Sequence, residues 1–216
     1  MKPKDLKCPF TWNERKPFIQ GNILFVPEHY QEHGAFSMPA LQEIFLNENP
    51  VSIEYCSGNG EWIADKAKDN PDQNWIAVEI QFRRVRKIWS KSQNLSLKNL
   101  FIVCGEALTF TQHYLPKACA EQVYVNFPDP WPKKRHAKHR LIQQPFAKEL
   151  ARISSRATFV TDDAPYAEQM RSEMASHWSL NSSKIIDESH GPSFFDRLWR
   201  SKGRNIQMLQ FTCPSA

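Results

Sequence analysis

The chain has 216 residues with 41% apolar, 24% charged and 12% aromatic content, which suits one well-buried core and excludes a chain disordered throughout. No stretch approaches the roughly 18 uninterrupted apolar residues of a membrane span, and the Lys-rich start lacks the apolar run of a secretory signal, so a cytoplasmic protein is expected. The 28 Lys and Arg exceed the 23 Asp and Glu by five, the same number of cations found between Lys133 and Arg140, so the whole formal charge of +5 sits in one octet. Five cysteines, scattered and never in C-x-x-C spacing, argue against a disulfide framework and a zinc ribbon and predict reduced thiols.

Residues 1–49 are Pro-punctuated and read as an N-terminal arm and helix packed on a core. The helical signal is Ser37 as cap, Met38 and Pro39 opening, then Leu41, Ile44 and Phe45 at helical spacing. From residue 50 to residue 216, short apolar runs alternate with longer mixed segments, the pattern of strands that cross over through helices to parallel neighbours. The strands are expected at Val51–Cys56, Asn74–Glu79, Leu100–Cys104, Gln122–Phe127 and Ala157–Thr161, with helical segments over Gly60–Lys68, Gln81–Ser92 and Phe146–Ile153. Two more strands, Lys184–Asp187 and Asn205–Thr212, close the sheet as an antiparallel pair joined by a Phe-rich loop containing Gly and Pro. The expectation is therefore an α/β fold: a doubly wound, mostly parallel, seven-stranded Rossmann-like sheet with an antiparallel C-terminal pair.

Each of the five central strands has a carboxylate at or near its C-terminal end: Glu54, Glu79, Glu106, Asp129 and the pair Asp162 and Asp163. In an open parallel sheet those ends form the crevice where ligands bind. Several carboxylates on one rim suit a ligand with hydroxyls, amines or positive charge, and each also suits the simpler role of capping the helix that follows. The turn after the first strand contains Gly58 and Gly60, a G-x-G that lets a ligand approach the backbone. Glu79 lies 19 residues beyond Gly60, where a carboxylate grips ribose hydroxyls. These features fit a nucleoside-containing cofactor and do not alone separate a nicotinamide cofactor from S-adenosylmethionine. The missing third glycine and the acidic rim favour the sulfonium.

Pro128-Asp129-Pro130-Trp131 followed by Lys133, Arg135, His136 and Arg140 closely resembles the bacterial tRNA (guanine-N7)-methyltransferase family, whose hallmark is P-D-P-W running into basic residues. The resemblance extends to Phe18-Ile19-Gln20-Gly21, Glu54 to Gly60, Ala77-Val78-Glu79, Thr161-Asp162 and Pro165-Tyr166-Ala167-Glu168. It implies that Glu54, Gly58, Gly60, Glu79, Glu106 and Asp129 line an S-adenosylmethionine site, and that Asp129 is catalytic. It further implies that Lys133, Asp162 and Ser193, Phe194, Phe195 and Asp196 contact a tRNA substrate. The chain departs from the family pattern at Cys56, where the loop has glycine, at Glu106 for Asp, and at Ser193-Phe194-Phe195-Asp196 for Thr-x-Phe-Glu.

Lys134, Arg135, Lys138 and Arg140 extend the basic lip as candidate RNA-backbone contacts, with Arg197, Arg200, Lys202 and Arg204 as supports if the C-terminal loop folds over the same rim. Trp131 offers a face for base stacking or for packing the loop. His136 and His139 sit three apart with no further Cys or His cluster near them, and no metal site is expected. Two other readings remain at the level of sequence. One is a methyltransferase acting on an exocyclic amine of a base, because Asn126 to Trp131 faintly resembles an N/D-P-P-Y/F loop. The other is a non-catalytic RNA-binding module on a methyltransferase scaffold, motivated by Cys56. A monomer and a homodimer fit the same pattern.

Overall fold

The structure is a computed structural model that describes residues 1–9, 16–27 and 30–213. The chain divides into two compact units, Met1–Leu115 and Pro116–Ala216.

The first unit opens its sheet with a hairpin, β1 (Phe18–Gln20) and β2 (Ile23–Phe25), turned at Gly21 with φ +58°. A short helix α1 (Leu41–Phe45) follows. Then come β3 (Val51–Tyr55), α2 (Glu61–Asp69), β4 (Asn74–Glu79), α3 (Phe82–Asn94), β5 (Leu100–Cys104) and α4 (Ala107–Tyr114). The strand order is β1-β2-β5-β4-β3, with β2, β5, β4 and β3 parallel and β1 antiparallel at the edge. Every residue of β3 and β4 is buried, as expected for parallel strands covered on both faces. The register sets Glu54 of β3 beside Ala77 of β4, and Glu79 of β4 beside Cys104 of β5.

The second unit runs β6 (Gln122–Asn126), a 3-10 helix (Lys134–His139), α5 (Gln144–Ile153), β7 (Arg156–Thr161), α6 (Ala164–Met174), β8 (Ser179–Ile185), α7 (Phe194–Ser201) and β9 (Gln207–Thr212). Its strands are ordered β6-β7-β9-β8. β6 and β7 are parallel, whereas β9 pairs antiparallel with both β7 and β8.

The α/β class, the mostly parallel pairing and the antiparallel close agree with the sequence pattern. Four expectations need correction, the first being that the strand expected at Lys184–Asp187 runs over Ser179–Ile185. Nine strands are present among the described residues, not seven, because β1 and β2 have three residues each, too few to show an alternation. The helix expected from Met38 starts at Leu41: Pro39 disfavours helical backbone at Met38, and Ala40 is itself extended at ψ 149°. The Phe-rich segment expected as a loop contains α7, whose N-cap Ser193 accepts a hydrogen bond from the Asp196 N–H at 3.4 Å. Gly191 and Pro192 hid that start, although Ser-x-x-Asp is a capping signature.

Candidate active site

In the first unit, the turn after β3 is built from three residues of left-handed backbone: Cys56 at φ +60°, Gly58 at φ +55° and Gly60 at φ +70°. Ser57 closes it, its Oγ donating to the Glu54 carbonyl at 2.9 Å and its N–H to the Val78 carbonyl at 3.1 Å. Glu79 then ties the turn to β4. One carboxylate oxygen accepts the Gly58 N–H at 2.9 Å, the other accepts the Gln81 N–H at 2.8 Å, and the Arg84 guanidinium stands 3.6 Å away. Burial pushes the Glu79 carboxyl above its ordinary 4.5, against the pull of the Gln81 amide, Arg84 and the Gly58 amide.

The two glycines do different work. Gly58 carries the amide that Glu79 holds, whereas a Cβ at Gly60 would fall 2.7 Å from Ile88 Cγ1, so Gly60 is required for the close approach of α2 to α3. Lys87 and Lys91 of α3 brace Asn59 at the tip, donating to its side-chain and backbone oxygens at 3.0 Å each. Glu54 is 2% exposed within β3. Glu106 is exposed and caps α4, accepting from the Leu108 and Thr109 amides at 2.9 and 2.7 Å. The unit therefore sets three carboxylates at the C-terminal ends of the adjacent strands β3, β4 and β5, beside a backbone loop with glycine at Gly58. That arrangement fits a group with hydroxyls and a positive charge better than a pyrophosphate.

In the second unit, Phe127 to Trp131 lead out of β6 under strain, with positive φ at both ends: +50° at Phe127 and +42° at Trp131. Phe127 donates its N–H to the Val160 carbonyl at 2.8 Å and packs against the cluster of Val160, Ile206 and Met208, which Trp199 also joins. Asp129 is exposed, and one of its oxygens accepts the Trp131 N–H at 3.0 Å. The half-buried Trp131 ring meets His139 at 5.2 Å and His136 at 5.8 Å, so its surroundings are aromatic.

The basic octet is not uniform. Lys133, Arg135 and Lys138 are exposed, while the Lys134 side chain lies outside the described residues. Arg140 is half-buried and already engaged: it donates to the Pro130 carbonyl at 2.7 Å and to the Gln169 side-chain oxygen at 2.6 Å, and lies 4.9 Å from the Tyr166 ring centroid.

After β7, Asp163 caps α6 through the Tyr166 N–H at 2.8 Å, while Asp162 pairs with Arg204. Burial pushes the Asp162 carboxyl up from its ordinary 3.8, and the Arg204 guanidinium opposes that. Arg204 also lies 4.2 Å from the Trp199 ring centroid, and Lys202 sits 4.9 Å from the same ring. In α7, Asp196 is 2% exposed and accepts from Arg200 at 3.0 Å. Arg200 donates also to the carbonyls of Asp187 and Glu188, at 2.7 and 2.8 Å, so it fastens the helix to the preceding loop. Phe194 is 44% exposed and meets Phe195 edge-on at 5.4 Å.

Within the first unit the structure brings Glu54, Gly58, Gly60, Glu79 and Glu106 to neighbouring strand ends. Within the second, Phe127 and Trp199 join one apolar cluster, so the loop of Asp129 and the helix of Asp196 share a support. Sequence reading missed Arg84 beside Glu79 and Gln169 beside Arg140; helical spacing gave no signal for either, because their partners are 5 and 29 residues away. All five cysteines lie outside disulfides. Burial drives the thiols of Cys104 and Cys119 up to about 12 and about 11, which keeps both protonated at neutral pH. Among the described residues, no group of three or more His, Cys, Asp or Glu is arranged to hold a metal ion, and no helix is long and apolar enough to cross a membrane.

Residues 48–208 match the sequence family described as "Putative methyltransferase". A tRNA (guanine-N(7)-)-methyltransferase of Chlamydia felis (strain Fe/C-56) is 49% identical over 217 residues, covering 98% of this chain and 97% of that protein. Its counterpart from Staphylococcus epidermidis is 27% identical over 204 residues, covering 90% and 94%. Among solved structures, the 16S rRNA methyltransferase KamB superposes with a TM-score of 0.60 at 13% identity, covering 92% of this chain and all of that one, a likeness of fold. Since the identity to the chlamydial protein runs through nearly the full length of both chains, this chain belongs to the tRNA (guanine-N7)-methyltransferase family.

Proposed function

We propose that this chain transfers the methyl group of S-adenosylmethionine to N7 of a guanine in tRNA, forming N7-methylguanosine. The observation that carries this reading is the 49% identity, end to end, to a protein named for that reaction. The strained loop that presents Asp129 supports it. In the first unit Glu54, Glu79 and Glu106 hold the cofactor, with Gly58 and Gly60 forming the turn beside it. Glu79 is suited to the ribose because two backbone amides fix its carboxylate, and lone pairs remain on each oxygen for hydroxyl donors.

When bound, S-adenosylmethionine would supply an electrophilic methyl carbon on a positively charged sulfur, and sulfur would keep the C–S bonding electrons as the guanine N7 lone pair bonds to that carbon. N7 of guanine carries no proton, so no base must act first. Positioning dominates, and holding the reactants in line contributes about 7 to 11 kcal/mol to lowering the barrier. The Asp129 carboxylate accepts hydrogen bonds from the N1 and N2 donors of the guanine, which orients N7 and opposes the positive charge growing on the purine. Lys133, Asp162 and Ser193 to Asp196 contact the tRNA, and Lys134, Arg135 and Lys138 grip its backbone.

Incubation with unmodified tRNA and labelled methyl donor, followed by nucleoside analysis, tests the assignment. N7-methylguanosine is the expected product, and a label found only on an exocyclic amine would overturn it. Asp129→Asn keeps the fold and cofactor binding but lowers single-turnover methylation by about 100- to 1,000-fold. A near-normal rate for that variant would remove Asp129 from the chemistry.

A further inference from the structure

The loop Phe127 to Trp131 holds its carboxylate in a backbone that ordinary residues avoid, since neither Phe127 nor Trp131 is glycine and both have positive φ. Something must over-determine such a conformation for it to persist. Phe127 is fixed by its own packing and its hydrogen bond to Val160, and Trp131 by the Asp129 oxygen. The remaining fastener is on the Pro130–Trp131 peptide, one residue beyond Asp129. Arg140, ten residues along the chain, donates Nε to the Pro130 carbonyl at 2.7 Å and Nη1 to Gln169 of α6 at 2.6 Å. Its guanidinium lies 4.9 Å from the centroid of Tyr166, a fully buried ring whose hydroxyl accepts the Ile142 N–H at 3.0 Å. Arg140 thus joins the loop to a helix already set in the core.

We infer that Arg140 is a positioning residue for Asp129, its planar fork fixing the Pro130 carbonyl against α6, and not a grip on the RNA backbone. The inference rests on the methyltransfer reading for its kinetic consequence, but not for its structural one. A phosphate contact needs a cation turned to solvent, as Lys133, Arg135 and Lys138 are. Arg140 instead uses two of its donors and its ring stacking inside the protein. Lysine keeps the charge at such a site but cannot reproduce the fork or the stacking.

Arg140→Lys therefore separates the two roles. Single-turnover methylation should fall about 100-fold, the scale of loss when a reacting group is displaced by about an ångström, while tRNA affinity stays within about 2-fold of the parent and its dependence on salt is unchanged. Gln169→Met, which removes one anchor without touching any cation, should lower the rate in the same direction by a smaller factor. Thermal unfolding of both variants confirms that they are folded at the assay temperature. Fluorine NMR of protein carrying 5-fluorotryptophan, with the Trp131 signal assigned through Trp131→Phe, reads the loop without any turnover: Arg140→Lys should shift or broaden that signal.

An unchanged Trp131 signal with a near-parental rate overturns the proposal. So does weaker tRNA binding with a shallower salt slope, which is the signature of a phosphate contact. A parent protein that forms no N7-methylguanosine would sink the proposed function alone, because the Trp131 signal still decides what Arg140 holds.

Discussion

Glu79 holds a turn in the structure, and under the proposed function the same carboxylate would also grip a ribose. Its buried oxygens hold the turn through the Gly58 and Gln81 amides, and burial lifts its carboxyl above the ordinary 4.5. Because folding raises this value, ionising Glu79 costs stability at neutral pH, and that cost is relieved as pH falls through the folded value toward 4.5. If Glu79 holds the ribose as proposed, cofactor binding has the opposite sign: the ionised carboxylate is the better acceptor for ribose hydroxyls, so affinity should weaken in the same window. Calorimetric titration of S-adenosylmethionine between neutral pH and about pH 4.5 checks this. The parent should lose affinity before an ordinary glutamate titrates, whereas Glu79→Gln should bind weakly and with little pH dependence through the same range; a flat parental profile would remove Glu79 from the ribose. At this scale the sequence disclosed the residue, because the G-x-G turn and the carboxylate 19 positions later are both local to strand ends. It could not disclose how Arg140 is engaged, since contacts to Pro130, Gln169 and Tyr166 depend on tertiary packing across 10 to 29 residues.

The turn between β3 and α2 behaves as a small element with one residue out of character. Left-handed backbone recurs at Cys56, Gly58 and Gly60, and only Cys56 bears a side chain. A side chain in that conformation costs about 1 to 2 kcal/mol, while glycine loses about 0.5 to 1 kcal/mol more entropy on folding, so Cys56→Gly should stabilise the protein by up to about 1.5 kcal/mol. Gly60→Ala should do the reverse. Its Cβ would meet Ile88 at 2.7 Å in a backbone at φ +70°, so strain and overpacking together should cost about 2 to 4 kcal/mol. Urea unfolding of the two variants, read as opposite shifts of the midpoint with similar slopes, measures both effects. A midpoint for Gly60→Ala equal to the parent's would show that α2 and α3 do not approach as closely as Gly60 allows. The periodicity of these helices was legible because their buried stripes are long. β1 and β2 were not, at three residues each, and α7 was concealed by Gly191 and Pro192 although Ser193 and Asp196 signalled its start.

For the whole molecule, charge is the property that sequence reveals most directly and structure refines. The 28 cations and 23 anions balance except for the octet, and within it the structure separates exposed Lys133, Arg135 and Lys138 from the internally engaged Arg140. A long-range field needs only the net charge, whereas counterion release needs cations that reach phosphates. If Lys133, Arg135 and Lys138 each neutralise one phosphate, their combined replacement by alanine should reduce the slope of log affinity against log salt by about 2 to 3, at about 0.7 to 0.9 per contact. Arg140→Lys should leave the slope where it was. Filter binding or fluorescence anisotropy with one tRNA across a salt series measures both. Equal slopes for the triple variant and the parent would mean that the octet is a solvated face, and that the RNA is held by cations elsewhere on the protein.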